Sequence, residues 1–126
     1  MEKILTQGEM KAIYQAKARL GDLEAILENL EAANMDMTDG PIVGLIQERA
    51  QLRAQIEAAA PSVEKTLAAI PDQYSRLVCT LRYRRAYTYE AIGKLLKQSS
   101  TAVRKRAARA LSKLEEGAGK NGTADA

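Results

Sequence analysis

Apolar residues that recur at alternating spacings of three and four are the feature that most constrains how this chain folds. Such spacings place side chains on one face of an α-helix, whereas a half-buried strand needs a spacing of two. The first run comprises Ile13, Ala16, Leu20, Leu23, Leu27 and Leu30. The second comprises Ile42, Leu45, Leu52, Ile56, Ala59, Val63, Leu67 and Ile70, interrupted by Arg49. The two runs predict two long helices that pack as an antiparallel hairpin.

Local signals indicate where these helices begin and end. Thr6 and Glu9 have the spacing of a capping box, so we expect the first helix to start near Thr6. The segment from Met35 to Pro41 is mostly polar and ends in proline, and we interpret it as the hairpin loop. Pro61 falls inside the second run, where proline removes a helical hydrogen bond. Because the apolar phase continues past Pro61, we favour one kinked helix over two separate helices.

Three shorter helices are predicted after Ile70. Asp72 is a favourable N-cap for a third helix that ends near Arg85, and Thr88 is one for a fourth. The face of the third helix that we expect to be buried carries Tyr74, Leu77, Val78 and Leu81. A fifth helix covers about residues 100–114. The predicted fold is all-α, with a helical hairpin (1–70), a three-helix unit (71–115) and a disordered tail (116–126).

Composition argues against catalysis and metal binding. The 126 residues include no His and one Cys, so the commonest general base is missing and no Cys-based zinc site can form within the chain. We therefore expect no catalytic residue, no metal and no cofactor. No signal-peptide pattern and no run of about 18 apolar residues is present. Together with the single free Cys, these features predict a cytoplasmic protein that does not bind a membrane.

The charge is divided unevenly, although the total is only +3. Residues 1–71 contain seven Lys and Arg against eleven Asp and Glu, whereas residues 72–115 contain eleven against three. A basic segment attracts phosphate, and we expect the acidic half to face away from it. On the fifth helix, a rotation of about 100° per residue places Thr101, Lys105 and Arg109 opposite the apolar stripe.

The stretch from Thr88 to Leu111 resembles the helix-turn-helix of region 4 of the sigma-70 factors. Leu81-Arg82-Tyr83 upstream strengthens the resemblance, which covers about residues 70–115. It implies a DNA-binding domain whose recognition helix, about residues 100–114, enters the major groove. The DNA-contacting residues are expected to be Ser99, Ser100, Thr101, Arg104, Lys105, Arg106 and Arg109.

Some residues of the motif have a clear structural role, and others depart from the family pattern. Gly93 lets the two helices approach closely, and Ser99 caps the recognition helix. Related motifs often have Gly where this chain has Ala86 and Lys97, and an apolar residue where it has Gln98. The geometry of the turn is therefore the feature that the resemblance leaves most open.

Arginines and tyrosines gather at the end of the third helix. Arg82, Arg84 and Arg85 fit two roles equally well, stabilisation of the helix end or contact with phosphate. The nearby tyrosines Tyr83, Tyr87 and Tyr89 are interpreted as a cover for the small core.

The whole layout resembles small phage-encoded transcriptional regulators of Gram-positive bacteria, the late-operon activators. This implies a sequence-specific regulator that binds double-stranded DNA, with RNA polymerase as a further partner. We expect a homodimer through the hairpin, with Arg49 in the seam paired to Glu24 or Glu28 and setting the register. Two alternatives stay open: a module that binds RNA polymerase or a sigma factor with weak DNA affinity, and a small phage terminase subunit.

Overall fold

The computed structural model describes the backbone of residues 2–125 and the side chains as far as residue 117. The described chain is helical and contains no strand, which confirms the all-α class. The helices are α1 (Gln7–Ala32), α2 (Gly40–Ala68), α3 (Gln73–Cys79), α4 (Tyr89–Leu96) and α5 (Ser100–Asp125), and a π-helical turn (Thr80–Arg84) continues α3. We refer to α1 and α2 as the arm and to the elements from α3 onward as the head. None of the described helices combines the length and the apolar character needed to cross a bilayer.

The start of α1 is fixed by hydrogen bonds within its own first turn and by one hydrogen bond to α5. The predicted capping box is present: the Glu9 N–H donates to Thr6 Oγ1 at 3.1 Å, and the Thr6 N–H donates to the Glu9 carboxylate at 2.9 Å. Gln7 is the first residue of α1, and its N–H donates to Glu115 Oε1 of α5 at 2.6 Å. A carboxylate at this position complements the positive end of the helix dipole. At Glu115, α5 is therefore held against the start of the arm.

The two arm helices form the predicted hairpin. Ion pairs join them, from Arg19 to Glu48 at 2.8 Å and from Arg53 to Glu24 at 3.3 Å. Both pairs are exposed and contribute little stability. Arg49 is half-buried and makes no ion pair within the described residues. Of its two expected partners, Glu24 is bound by Arg53 instead, and Glu28 forms no ion pair in the described part of the chain. Glu24 and Arg53 are both exposed and meet on the solvent side of the hairpin, whereas Arg49 is half-buried.

The predicted boundaries of α2 need one correction. The hairpin loop ends at Asp39 rather than Pro41, because α2 begins at Gly40 and Pro41 lies in its first turn. A proline fits there, since the N–H that it lacks has no partner within the helix. At the other end α2 continues through Pro61 as a single helix, the interpretation that the unbroken apolar phase favours.

The backbone of α5 is longer than the sequence indicates. We expect no regular structure for residues 116–126, whereas α5 continues to Asp125. No residue from 116 to 125 is proline, so each of them has a backbone N–H that can continue the helical hydrogen bonds. The side chains from residue 118 onward, and Ala126 altogether, lie outside the described residues.

One hydrophobic core runs through the arm and the head. Its arm residues are Leu5, Met10, Ile13, Val63, Leu67 and Ile70. Its head residues are Val78, Cys79, Tyr83, Ile92, Val103, Ala107 and Leu111. The Cys79 thiol is enclosed in this cluster, and burial raises its pKa to about 12. The boundary near residue 70 therefore separates the acidic part of the sequence from the basic part, but one hydrophobic core extends across it.

A shared core predicts that the arm and the head unfold together. Leu67 belongs to the arm and is 2% exposed, so Leu67→Ala should lower the free energy of unfolding by about 2–5 kcal/mol. The exposed Leu95 is the matched control, for which Leu95→Ala should change it by less than about 0.5 kcal/mol. Urea titrations followed by far-UV circular dichroism and tyrosine fluorescence should give coincident transitions. Two separate transitions would contradict a common core.

Candidate nucleic-acid interface

Side-chain caps fix where the two helices of the helix-turn-helix begin. The Ala91 N–H donates to Thr88 Oγ1 at 3.1 Å at the start of α4. The Ala102 N–H donates to Ser99 Oγ at 3.1 Å at the start of α5. These bonds satisfy N–H groups that a helix cannot satisfy by itself. Both caps are the ones that the sequence predicts.

Gly93 permits the close approach of α4 and α5. A Cβ atom at this position would lie 2.6 Å from the carbonyl oxygen of Gln98 and 3.4 Å from the backbone nitrogen of Ser100. The Gly93 carbonyl in turn accepts from the Gln98 N–H at 2.8 Å. The turn is therefore packed against the backbone of α4, and a larger residue at position 93 would push it away.

Two of the three departures from the sigma-like pattern adopt the backbone conformation that favours glycine. Ala86 before α4 and Lys97 after it both have φ of 58°, in the left-handed region. The cost of this conformation for a residue with a Cβ is about 1–2 kcal/mol. The connections on both sides of α4 therefore keep the backbone geometry that glycine commonly provides, although neither position is a glycine.

The exposed face of α5 carries most of the predicted contact residues. Val103, Ala107 and Leu111 are buried against the rest of the head. On the opposite side, Thr101, Arg104, Lys105 and Arg109 are exposed. Ser99 is exposed at the start of the helix, and Ser100 is half-buried there. A helix with an exposed basic face opposite its buried stripe is suited to entering a major groove.

Arg106, the remaining predicted contact residue, interacts with α3. Its guanidinium lies 3.1 Å from the Asp72 carboxylate and 4.6 Å from the centre of the Tyr74 ring. Asp72 also accepts from the Ser75 hydroxyl and N–H, at 2.6 and 2.9 Å, as the N-cap of α3. The hydrogen bonds from Ser75 and then the charge of Arg106 hold the pKa of Asp72 below its ordinary value. Arg106 thus helps to join α5 to α3, while its side chain stays partly exposed.

The buried face of α3 differs from the predicted one. Ser75, Val78 and Cys79 are buried, whereas Tyr74 and Leu77 are 36% and 43% exposed. A helix of seven residues contains too few turns for apolar spacing to define its phase.

Tyr74 therefore stands beside α5 instead of in the core. Together with Gln98 and the first turns of α5, it lines a cleft of about 370 Å³. Tyr74 and Gln98 are candidate contact residues that the sequence reasoning missed. The polar hydroxyl of Tyr74 was the available signal, since it disfavours deep burial without a partner.

Comparison with known protein families agrees with this geometry. Residues 71–116 match the family described as sigma-70, region 4, over a little more than a third of the chain. No curated protein and no solved structure was found to match the chain. The head therefore contains a sigma-70 region 4-like helix-turn-helix, a DNA-binding class of domain, which supports a DNA-binding regulator in general.

The packing at Gly93 predicts a large effect of a small substitution. Gly93→Ala should lower the free energy of unfolding by about 1–3 kcal/mol, because its methyl group overlaps the Gln98 carbonyl. Gly44 on α2 is the matched control, since a Cβ there meets nothing within 4 Å. Gly44→Ala should raise stability by about 0.5–1 kcal/mol. Equal effects of the two substitutions in urea titrations would contradict the close approach.

The Asp72 cap predicts a pH dependence of stability. Because its pKa is lowered in the folded protein, Asp72 contributes stability that is complete above its unfolded pKa and is lost as the pH falls through the folded value. Asp72→Asn keeps a capping oxygen but cannot titrate. Between about pH 5 and pH 2, unfolding measurements should show a shallower loss of stability in this variant than in the wild type. Parallel curves would contradict the role of the carboxylate.

Proposed function

We propose that the protein is a sequence-specific DNA-binding transcriptional regulator of phage or prophage origin, and that it is not an enzyme. The observation that carries this proposal is the exposed basic face of α5, which stands opposite the buried stripe in a sigma-70 region 4-like helix-turn-helix. Its place of action would be the cytoplasm, where the DNA is. The phage origin rests on the resemblance of the whole layout to the late-operon activators.

The roles of the contact residues follow from their positions on α5. Thr101, Arg104, Lys105 and Arg109 are exposed and would reach base edges or phosphates. Ser99 and Ser100 lie at the start of the helix and would contact the DNA backbone. Arg106 would also contact a phosphate, and its bond to Asp72 would hold the guanidinium in place for that contact.

The arm supplies a surface for a homodimer. Leu20, Leu30, Leu45, Leu52 and Ile56 are only half-buried, and Ile26 and Met35 are 41% and 49% exposed. Two helices alone leave such an apolar seam partly open, and a second hairpin can cover it. Two copies would also place two recognition helices on DNA, as helix-turn-helix dimers do.

Other functions remain as alternatives. A module that binds RNA polymerase or a sigma factor would use the same head with weak DNA affinity. A small phage terminase subunit would form a ring instead of a dimer.

The DNA-binding proposal is tested by measuring affinity against salt. Binding should be detectable at about 50 mM salt and should weaken steeply as salt rises, because each contacted phosphate releases counterions. Lys105→Ala should weaken cognate DNA more than random DNA, by roughly tenfold for a base contact. Lys11→Ala on the exposed surface of the acidic arm is the matched control and should leave both affinities unchanged.

The outcomes of this test separate the alternatives. Absence of DNA binding at about 50 mM salt would contradict the proposed DNA-binding regulator and favour the polymerase-binding module. An equal loss on both DNAs in Lys105→Ala would mean that Lys105 contacts only phosphate.

The dimer is tested by removing the charge from the seam. Arg49→Leu should raise stability and change the oligomer distribution in light scattering, because Arg49 is half-buried and without an ion pair in the described part of the chain. Arg53→Leu removes an exposed ion pair instead and should change neither appreciably. Unchanged mass and stability in Arg49→Leu would count against a register-setting role. A ring of roughly eight or more subunits would favour the terminase alternative.

A further inference from the structure

The side chain of Arg82 lies between two tyrosine rings that belong to different parts of the molecule. Its guanidinium carbon is 3.4 Å from the ring centre of Tyr14 on α1 and 3.8 Å from that of Tyr89, the first residue of α4. It also donates to the Tyr87 carbonyl at 3.2 Å, in the loop before α4. Stacking of a planar cation between two rings is favourable and depends on orientation. Arg82 therefore contacts the arm on one side and the start of the helix-turn-helix on the other.

Neighbouring contacts hold the same π turn against the arm. The Lys17 ammonium donates to the carbonyls of Tyr83 and Arg84 at 2.9 and 3.0 Å, and Glu64 of α2 pairs with the Arg84 side chain. A cation at the last carbonyls of a helix complements its dipole. Two of the three arginines at this corner are thus engaged within the molecule, which favours the structural role for Arg82 and Arg84 over phosphate contact.

The π turn explains how Arg82 reaches this position. The Arg85 N–H donates to the Thr80 carbonyl at 3.2 Å, which spans five residues instead of the four of an α-helix. Turns of this kind occur frequently at functional sites. The left-handed Ala86 then lets the Tyr87 N–H return to the Leu81 carbonyl at 3.0 Å. The loop therefore brings the Tyr87 carbonyl to the Arg82 guanidinium, which donates to it.

We propose that Arg82 is a positioning residue through which the arm sets the orientation of the DNA-binding helices. The path runs from Tyr14 through Arg82 to Tyr89, along α4 to Gly93, and from there to α5. The effect on DNA rests on the proposed function, while the positioning of α4 does not. Loss of a ring in the acidic arm should therefore change how the head binds DNA.

The test compares substitutions at Tyr14. Tyr14→Ala should weaken DNA binding roughly five- to tenfold at constant salt, because the stack on Arg82 is lost. The slope of affinity against salt should not change, because no phosphate contact is removed. Tyr14→Phe keeps the ring and should keep wild-type affinity. Val43→Ala, a half-buried residue in the first turn of α2 that lies outside the proposed dimer surface, controls for a general loss of stability.

A second measurement needs no DNA. Hydrogen exchange at the Ile92 and Gly93 amides of α4 should be faster in Tyr14→Ala than in Tyr14→Phe or Val43→Ala. Wild-type exchange together with wild-type affinity in Tyr14→Ala would overturn the proposal, as would equal losses in Val43→Ala. Faster exchange in a protein that binds no DNA would support the positioning role and reject the proposed function.

Discussion

The packing of the end of α2 against the head is the contact on which the rest of the structure depends. Leu67 of α2 and Ile70, which directly follows the helix, are almost fully buried in the same cluster as Ala107 and Leu111 of α5. A three-helix unit of fewer than fifty residues buries little apolar surface by itself and is marginally stable. The arm completes this core. A segment that the sequence marks as an interaction surface is therefore also part of the support for the recognition helix.

Local patterns were sufficient to predict the architecture. The heptad runs gave the hairpin, and the caps at Thr6, Thr88 and Ser99 fall where their spacing places them. Such signals are reliable because each depends on residues within one or two helical turns. The same reasoning identified Gly93, whose role depends only on the adjacent turn.

The features that sequence reasoning missed depend on contacts between distant segments. Arg106 meets Asp72 across 34 positions, and Arg82 meets Tyr14 across a larger separation. No periodicity within one helix can reveal such a pair. The face of α3 was misassigned for a related reason, because tertiary packing decides the phase of a helix so short. The turn between α4 and α5 was predicted only in part. Its backbone has the left-handed conformation that glycine commonly provides, but Lys97 adopts it at a cost in backbone strain.

The tyrosines at the junction give the protein an optical property of its own. The chain has no Trp and no Phe, so its five tyrosines are its only aromatic side chains. Tyr14 and Tyr89 enclose Arg82, and the buried Tyr83 lies beside them with its pKa raised by burial. Near-ultraviolet circular dichroism of the unlabelled protein therefore reports mainly on the place where the arm meets the head. A ligand that does not itself absorb in this range, and that shifts one part against the other, becomes visible without a probe.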